Sequence, residues 1–264
     1  MTGNRLPVTG DRPPVTLLLD SAQPGWQNMA IDSALLDLAE EGAVFLRLYR
    51  WEPFCISFGR HEPAARRYDR ARIAELGIDC VRRPTGGRAV WHARELTYAV
   101  AAPLAEFGGL KQAYREIHAL LAAALATLGA PAELAGSPAR AALPAAGPCF
   151  SSPAGGEVLL GSRKVVGSAQ LRQGGAFLQH GSLLLEDDQS LLRDLAGLTG
   201  APPETSLSEA LGRPLGFAQA AAAVTREAAR RWSAVATTQL PSAVTAGAER
   251  HAARFRDEGW TWQR

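Results

Sequence analysis

The sequence lacks the features that mark membrane, secreted and metal-binding proteins. Its 264 residues include no apolar run that approaches the ~20 residues needed to span a bilayer. The three cysteines, Cys55, Cys80 and Cys149, are widely spaced and form no CxxC pair, which argues against a disulfide framework or a zinc site. The five histidines form no HExxH motif or cluster, so we expect no metal and no cofactor.

An excess of charge of one sign is lacking as well. The formal net charge of +2 gives no case for nucleic-acid binding. Residues 1–14 contain no apolar segment typical of a secretory signal and are expected to form a flexible tail, and the reduced thiols favour a cytoplasmic protein. Because 47% of the residues are apolar, we predict one main α/β domain over residues 15–264. Residues from about 187 to 264 are predicted to be its mostly helical C-terminal portion.

Strand and helix patterns alternate along the chain. Apolar residues at helical spacing, each series followed by glycine, predict helices over 26–41 and 110–128. His118 lies off the apolar stripe of the second helix, which predicts a surface or half-buried position. Further predicted strands cover 15–20, 44–51, 54–58 and 95–102, and further predicted helices cover 69–76, 190–198, 206–211, 217–236 and 243–257.

The segment 80–92, CVRRPTGGRAVWH, combines a glycine pair with basic side chains. Arg82 and Arg83 end a predicted strand, residues 84–87 form a tight turn, and Arg88 begins the return strand. Paired glycines let a backbone approach a ligand closely, and arginine suits phosphate or carboxylate. The segment therefore predicts a binding loop, with an ordinary hairpin that has a basic rim as the alternative. It is not a P-loop, because no GxxxxGK[ST] motif is present.

A lone cysteine and a lysine stand fifteen residues apart in the middle of the chain. Cys149 lies in an Ala/Pro/Gly-rich loop, and Lys164 lies in GSRKVVGSAQ. Apolar runs separated by glycine turns predict a three-stranded meander over 158–160, 164–166 and 176–178. A thiolate is a nucleophile whose pKa a neighbouring cation lowers, so the pair suits acyl transfer. Taken singly, each is more often structural, the cysteine as a buried apolar residue and the lysine as a solvated one.

Three blocks, RRPTGGRAVWH, KVVGSAQ and QHGSLLL, resemble the superfamily of lipoate-protein ligases, octanoyltransferases and biotin-protein ligases in their order and spacing. The resemblance is nearest to the LipM type of octanoyltransferase. Arg88 stands where ligases usually have a third glycine, and Cys149 is followed by phenylalanine as in that type. Two departures are visible. Ala93 follows His92 in place of the usual aspartate, whose role Glu95 is a candidate to take, and the usual aromatic-glutamate pair is reduced to Gly-Glu at 156–157.

The resemblance implies an α/β fold with a mixed central β-sheet flanked by helices and a buried acyl tunnel. It implies transfer of an octanoyl group from octanoyl-acyl carrier protein to a lysine of a lipoyl domain, such as that of glycine cleavage H protein or 2-oxoacid dehydrogenase E2. No nucleic acid and no membrane would take part. Cys149 would be the nucleophile, and Lys164 would hold the thiolate and assist deprotonation of the amine. The residues expected to bind the acyl group are Arg82, Arg83, Thr85, Gly86, Gly87, Arg88, His92, Gly167, Ser168, Ala169, His180 and Gly181.

Backbone N–H groups near residues 167–168 are candidates for stabilising the tetrahedral oxyanion. Three alternatives stay open: an ATP-dependent lipoate ligase, an amidotransferase that moves octanoyl groups between lipoyl domains, and a non-catalytic module that binds such domains.

We also expect a basic mouth, that is, a positively charged surface around the entrance of the site that attracts acidic carrier proteins. It would contain Arg82, Arg83 and Arg88, with Arg66, Arg67 and Arg70 nearby. In the alternative, these arginines pair with Glu62, Asp69 and Glu75 on the surface.

Overall fold

The computed structural model describes residues 13–136, 156–186, 189–199 and 204–263. The predicted nucleophile, Cys149, lies outside the described residues. In chain order the elements are β1 (Thr16–Leu19), α1 (Gly25–Glu40), β2 (Phe45–Tyr49), β3 (Cys55–Phe58), α2 (Ala64–Arg67), α3 (Arg70–Glu75), β4 (Asp79–Arg82), β5 (Val90–His92), β6 (Glu95–Pro103), a 3₁₀ helix (Leu104–Phe107), α4 (Leu110–Thr127), β7 (Glu133–Leu134), β8 (Val158–Leu160), β9 (Arg163–Lys164), β10 (Val166–Gln173), β11 (Ala176–Leu184), α5 (Ser190–Leu195), α6 (Leu207–Leu211), α7 (Phe217–Trp232), β12 (Val235–Thr237), α8 (Ser242–Arg256) and α9 (Glu258–Thr261). No helix in this described part is long and apolar enough to cross a bilayer.

A six-stranded mixed sheet forms the centre of the molecule, in the order β10-β11-β6-β2-β1-β12. Strand β1 pairs in parallel with β2 and β12, and the remaining neighbours are antiparallel. In β1 and β2 neighbouring side chains point to opposite faces, as the period of two requires. Leu17 and Leu46 pack with α4 and α7, whereas Leu18 and Phe45 pack with α1 and α8. The sheet is thus covered by helices on both faces, and the predicted fold class is confirmed.

The glycine turn does not join two paired strands. The small sheet that contains it has the order β4-β3-β5, so β3 separates the strand before the turn from the strand after it. A Cβ atom on Gly59 would lie 1.9 Å from the carbonyl oxygen of Gly87, so the turn packs directly on the end of β3. Gly87 adopts a φ of +86°, which glycine tolerates without strain. The predicted hairpin is therefore wrong, because the chain crosses over β3 between residues 82 and 90.

The predicted meander is divided between two sheets. Residues Arg163–Lys164 pair with β8, whereas Val166 begins a long strand of the central sheet. Short apolar runs do not specify which sheet a strand joins, and this is why the prediction failed. The helix predicted over 217–236 ends at Trp232, because Ser233 adopts a left-handed φ of 52°. The next residues form β12 beside β1, so the mostly helical portion also contributes to the central sheet.

Arg82 is a structural residue in this fold. Its side chain is fully buried. Its guanidinium donates to the main-chain carbonyl oxygens of Gly59, Arg60, Glu62, Trp260, Thr261 and Gln263. These bonds tie β4 to the C-terminal residues. The expectation that Arg82 belongs to an exposed basic mouth is therefore wrong.

We predict that Arg82→Met destabilises the protein by about 3–5 kcal/mol, because buried carbonyl oxygens lose their charged donor. Urea unfolding of the variant and the parent protein measures this difference. Arg66→Met is the matched control, since Arg66 is exposed on α2, and it is expected to change stability by less than about 0.5 kcal/mol. Equal unfolding midpoints for both variants would contradict the structural role of Arg82.

Candidate active site

A pocket lies where the central sheet meets the small sheet. Strands β2, β5, β6, β10 and β11 and helix α1 supply most of its walls. The lining residues are Met29, Tyr49, Trp51, Arg83, Val90, His92, Thr97, Gly167, Ser168, Ala169, His180, Gly181 and Ser182.

Seven of the twelve residues predicted to bind the acyl group line this pocket, namely Arg83, His92, Gly167, Ser168, Ala169, His180 and Gly181. Thr85 lies behind the wall, where it contacts His180. Gly86, Gly87 and Arg88 lie on the turn outside the lining, and Arg82 does not reach the pocket. Arg83 is buried and donates to Ser57 and to the carbonyl oxygens of Gly86 and Arg88. The expectation that Arg83 belongs to an exposed basic mouth is therefore also wrong.

Gly181 permits a close approach between β11 and its neighbours. The register places Gly181 opposite Ser168 on β10 and opposite Tyr98 on β6. A Cβ atom at Gly181 would lie 2.5 Å from the carbonyl oxygen of Gly167 and 2.6 Å from the Ser168 hydroxyl. A side chain there would push β10 away, so the pocket wall depends on this glycine.

A buried network holds His180 in one orientation. Nδ1 of His180 donates to Oδ2 of Asp32 at 2.9 Å, because a carboxylate only accepts, and Nε2 lies 2.7 Å from the Thr85 hydroxyl. Asp32 also accepts from Arg47 at 2.8 Å and from the Tyr49 hydroxyl. Burial opposes its ionisation, but the bond from His180 and the charge of Arg47 prevail and hold the pKa of Asp32 below its usual value. The network thereby fixes the glycine turn to β11 and α1.

His92 and Glu95 form a second buried pair. Oε1 of Glu95 lies 3.3 Å from Nδ1 of His92, so a carboxyl group stands beside this histidine although Ala93 replaces the usual aspartate. Glu95 also accepts hydrogen bonds from the hydroxyls of Thr97 and Ser182. Burial raises the pKa of Glu95 to about 8. Burial, together with the charge of Arg83, lowers the pKa of His92 well below its usual value. Both groups are therefore neutral at pH 7.

Lys164 is buried and forms an ion pair. Its Nζ atom donates to Oε1 of Glu157 at 2.6 Å, and both side chains are at most 6% exposed. Lys164 does not line the pocket, but it lies three residues before Gly167, which does. The interpretation of Lys164 as a solvated strand lysine is wrong, because strand β9 turns this side chain inward against β8.

His118 is fully buried on α4, which corrects the prediction of a surface or half-buried position. Nδ1 of His118 donates to the carbonyl oxygen of Gly156 at 2.6 Å, and Nε2 lies 2.8 Å from the Ser168 hydroxyl. The Ser168 hydroxyl also contacts the Tyr98 hydroxyl at 2.6 Å. Burial lowers the pKa of His118 to about 4, and the charge of Lys164 acts in the same direction. The ring is thus neutral and connects the pocket wall to the residue before Glu157.

The exposed arginines near the glycine turn are partly paired. Arg67 contacts Glu62 at 3.1 Å, and Arg70 contacts Glu258 at 2.6 Å. The pair of Arg67 with Glu62 is one that the surface alternative predicted, whereas Arg70 pairs with a glutamate that it did not name. In the part of the chain that the structure describes, no group of three or more His, Cys, Asp or Glu residues is arranged to hold a metal ion.

Comparison with known proteins identifies the family. A model of the lipoyl protein ligase A/B catalytic domain matches residues 24–229. Octanoyltransferase LipM of Symbiobacterium thermophilum is 38% identical over 94% of this chain and 98% of the relative, and that of Moorella thermoacetica is 43% identical over 61% of each. The chain belongs to the lipoyl protein ligase A/B catalytic domain family. The predicted resemblance is confirmed.

Solved structures support the same fold. A crystal structure of lipoate-protein ligase A bound with ATP has a TM-score of 0.77 at 19% identity, covering 95% of this chain and 99% of that chain. A bipartite lipoate protein ligase of an archaeal lipoylation system, from Thermoplasma acidophilum, has a TM-score of 0.67 at 18% identity, covering 96% and 97%. At these identities the likeness shows the fold alone.

We predict that Glu95→Gln removes a pH dependence of stability. The folded protein keeps the Glu95 proton up to about pH 8, whereas an unfolded chain loses it near the ordinary value of 4.5. The contribution of Glu95 to stability is therefore complete below pH 4.5 and is lost as pH rises toward 8. Relative to the parent protein, Glu95→Gln should gain about 3–5 kcal/mol between pH 4.5 and pH 8.

Urea unfolding across this pH range measures the gain. Glu75→Gln is the matched control, because Glu75 is exposed on α3 and no such gain is expected there. Parallel pH profiles for the parent protein and Glu95→Gln would rule out the shifted titration.

Proposed function

We propose that this chain transfers octanoyl groups to lipoyl domains through a thioester on Cys149. It is an acyltransferase of protein lipoylation, as its LipM relatives are octanoyltransferases over nearly the whole chain. One geometric observation supports the proposal. The three blocks that resemble this family are far apart in sequence, and Arg83, Ser168 and His180, one from each block, line the same pocket.

The pocket suits an uncharged acyl chain. Met29, Trp51 and Val90 supply apolar wall, and His92 in the wall is neutral at pH 7, as is Glu95 beside it. Six methylenes at about 0.8 kcal/mol each give roughly 5 kcal/mol of gross binding energy. One methylene more or less is worth only about 1–3 kcal/mol, so we expect neighbouring chain lengths to be accepted as slower substrates.

The proposed chemistry has two acyl-transfer steps. The Cys149 thiolate attacks the carbonyl carbon of the donor thioester, the C–S bond to the donor breaks, and the donor leaves as a thiol. The amine of the lipoyl-domain lysine then attacks the acyl-enzyme, an amide forms and the Cys149 thiol is released. The role of Cys149 rests on its place before the lysine block, since this residue lies outside the described part of the chain.

The ladder between β10 and β11 selects one of the candidate oxyanion donors. Leu184 N–H donates to the carbonyl oxygen of Val165, and this bond sets the alternation of the antiparallel ladder. The N–H of Gly167 is then directed at β11, whereas the N–H of Ser168 points away from β11. We therefore assign Ser168 rather than Gly167 as the backbone donor that stabilises the oxyanion.

Lys164 acts as a cation in this proposal. Its Nζ atom donates to the buried carboxylate of Glu157 at 2.6 Å, and an ammonium group is the form that donates to a carboxylate. The positive charge suits stabilisation of a thiolate or an oxyanion. The ion pair favours this role over the general-base role that the family resemblance implies.

The partners follow from the reaction. We expect octanoyl-acyl carrier protein as the donor, and as the acceptor a lipoyl domain such as that of glycine cleavage H protein or 2-oxoacid dehydrogenase E2. Because Arg82 and Arg83 are buried, a basic surface for acidic carriers would need exposed arginines such as Arg60. The N–H of Arg60 donates to the carbonyl oxygen of Thr85, which places Arg60 beside the glycine turn.

A reconstituted assay with octanoyl-acyl carrier protein and a lipoyl domain tests the function. We expect transfer without ATP, no transfer by Cys149→Ala, and an octanoyl thioester on Cys149 by mass spectrometry when the acceptor is absent. Cys80→Ala is the matched control, because burial raises the pKa of the Cys80 thiol to about 12 and leaves it unreactive. Transfer by Cys149→Ala that requires ATP would overturn the proposal in favour of a ligase.

The role of Lys164 is tested by two substitutions. Lys164→Met should lower kcat on the order of 10²-fold, as expected when a charge that stabilises the transition state is removed. Lys164→Arg keeps the charge but does not give up a proton, so it should retain a larger share of kcat. Lys111→Met is the control, because Lys111 is exposed at the start of α4. Equal loss in Lys164→Arg and Lys164→Met would restore the general-base role.

A further inference from the structure

Two buried carboxyl groups, those of Asp32 and Glu95, contact residues that line the pocket. Asp32 accepts a hydrogen bond from the guanidinium of Arg47 at 2.8 Å. Glu95, on β6, is 2% exposed, and among the described residues no lysine or arginine lies within ion-pair distance of its carboxyl group. A buried carboxylate without a counter-charge is costly, and such a group keeps its proton instead. The two carboxyl groups therefore differ in charge, because only Asp32 has a cation for a partner.

The carboxyl group of Glu95 lies directly behind the pocket wall. Its Oε1 atom is 3.3 Å from Nδ1 of His92 and also contacts the Thr97 hydroxyl, and its Oε2 atom contacts the Ser182 hydroxyl. His92, Thr97 and Ser182 all line the pocket. A charge on Glu95 would thus be separated from a bound acyl chain by one layer of side chains.

The hydroxyl partners of Glu95 suit both of its protonation states. A hydroxyl group donates to a carboxylate and accepts from a carboxylic acid. The Thr97 hydroxyl accepts from Nε1 of Trp51 at 2.7 Å, which leaves its own hydrogen for Oε1 of Glu95. At Oε2, rotation of the O–H bond of Ser182 is enough to exchange the roles of donor and acceptor. The proton on Glu95 is therefore gained or lost without a rearrangement of the wall.

The titratable and charged side chains around Glu95 come from several elements. Two of them are neutral at pH 7, because burial lowers the pKa of His92 and raises that of Tyr49. Asp32 is paired, since both His180 and Arg47 donate to it. A negative charge on Glu95 would therefore appear without a cation in contact with it. The groups are His92 on β5, Tyr49 and Arg47 on β2, His180 on β11, Asp32 on α1 and Arg83 after β4.

We propose that the proton on Glu95 controls acyl binding, so that the acid form of the site binds the octanoyl chain and the carboxylate form does not. The inference rests on the proposed acyl-transfer function. An apolar chain in the pocket displaces the water that a charged group behind the wall requires, and a buried charge without water or a counter-charge is costly. Glu95 acts through the wall and is not itself a catalytic residue.

The titration of Glu95 sets the pH range of the effect. Burial raises the pKa of this carboxyl group to about 8, so the acid form prevails at pH 7 and about a tenth of the molecules keep it at pH 9. The apparent affinity of a ligand falls in proportion to the fraction of protein that is competent to bind it. The Kd for an octanoyl ligand should therefore rise about tenfold between pH 7 and pH 9. Binding at pH 9 should also return about one proton to each protein molecule.

The test measures the binding of octanoyl-CoA to Cys149→Ala, in which no acyl-enzyme forms on that residue, from pH 7 to pH 9. Isothermal titration calorimetry in two buffers of different ionisation enthalpy gives both the Kd and the proton uptake. We expect the tenfold rise in Kd and the uptake of about one proton at pH 9. In Cys149→Ala/Glu95→Gln both effects should be absent, because glutamine has the shape of the acid form and carries no charge at any of these pH values.

A matched control and a second variant accompany the measurement. Cys149→Ala/Glu75→Gln should behave as Cys149→Ala, because Glu75 is exposed on α3. Circular dichroism at each pH shows whether the proteins are folded. If Glu95→Gln is unfolded, Thr97→Val takes its place in the Cys149→Ala background. The Thr97 hydroxyl lowers the pKa of Glu95, so its loss should move the rise in Kd to a higher pH.

The possible failures are distinguishable. A rise in Kd that Glu95→Gln leaves unchanged belongs to another group and overturns the inference. A Kd that does not vary between pH 7 and pH 9 in folded Cys149→Ala overturns it as well. If octanoyl-CoA does not bind at pH 7 and the parent protein transfers nothing to a lipoyl domain, the proposed function itself is contradicted, and the inference fails with it.

Discussion

The buried bond between Asp32 and His180 holds the site together. It joins α1 to β11, and through the Thr85 hydroxyl on the other ring nitrogen it also holds the glycine turn. Arg47 balances the charge of Asp32 inside the protein, which a buried carboxylate requires. Removing any one member would leave a buried polar group without its partner. The glycine turn is therefore tied to the central sheet, although it lies beside a separate sheet.

Neutral and charged side chains are found on different sides of this pocket. His92 in the wall and Glu95 beside it are neutral, because burial shifts their pKa values in opposite directions, and the buried guanidinium of Arg83 is the cation in the lining. Behind the wall, Lys164 is charged and paired with Glu157, and the neutral ring of His118 stands between this pair and the wall. The Lys164–Glu157 pair is thus connected to the pocket wall through His118 and the Ser168 hydroxyl.

Sequence reasoning predicted the parts of this architecture that depend on local pattern. Helical periodicity located α1 and α4 to within a residue, and the resemblance brought most of the pocket residues together. Sequence reasoning failed for residues whose position depends on partners that are distant in the sequence. Arg82 binds carbonyl oxygens about 180 positions away, and His118 is buried by Gly156 and Ser168 rather than by its own helix. A charged residue inside an apolar strand, as Arg47 is in FLRLY, is the local signal that points to a buried network.

The composition of the chain fits the chemistry of an enzyme that acylates lysine. Of its 28 lysine and arginine residues, two are lysines. Arginine carries the same positive charge but stays protonated at all pH values that proteins encounter, so it does not compete for an acyl group. Arginines therefore supply the positive charges near the turn without offering an amine. Of the two lysines, Lys164 is buried and donates to the carboxylate of Glu157, whereas Lys111 is exposed at the start of α4. Arginine in place of lysine on the surface therefore keeps the positive charge and lowers the number of exposed amines that compete with the acceptor lysine.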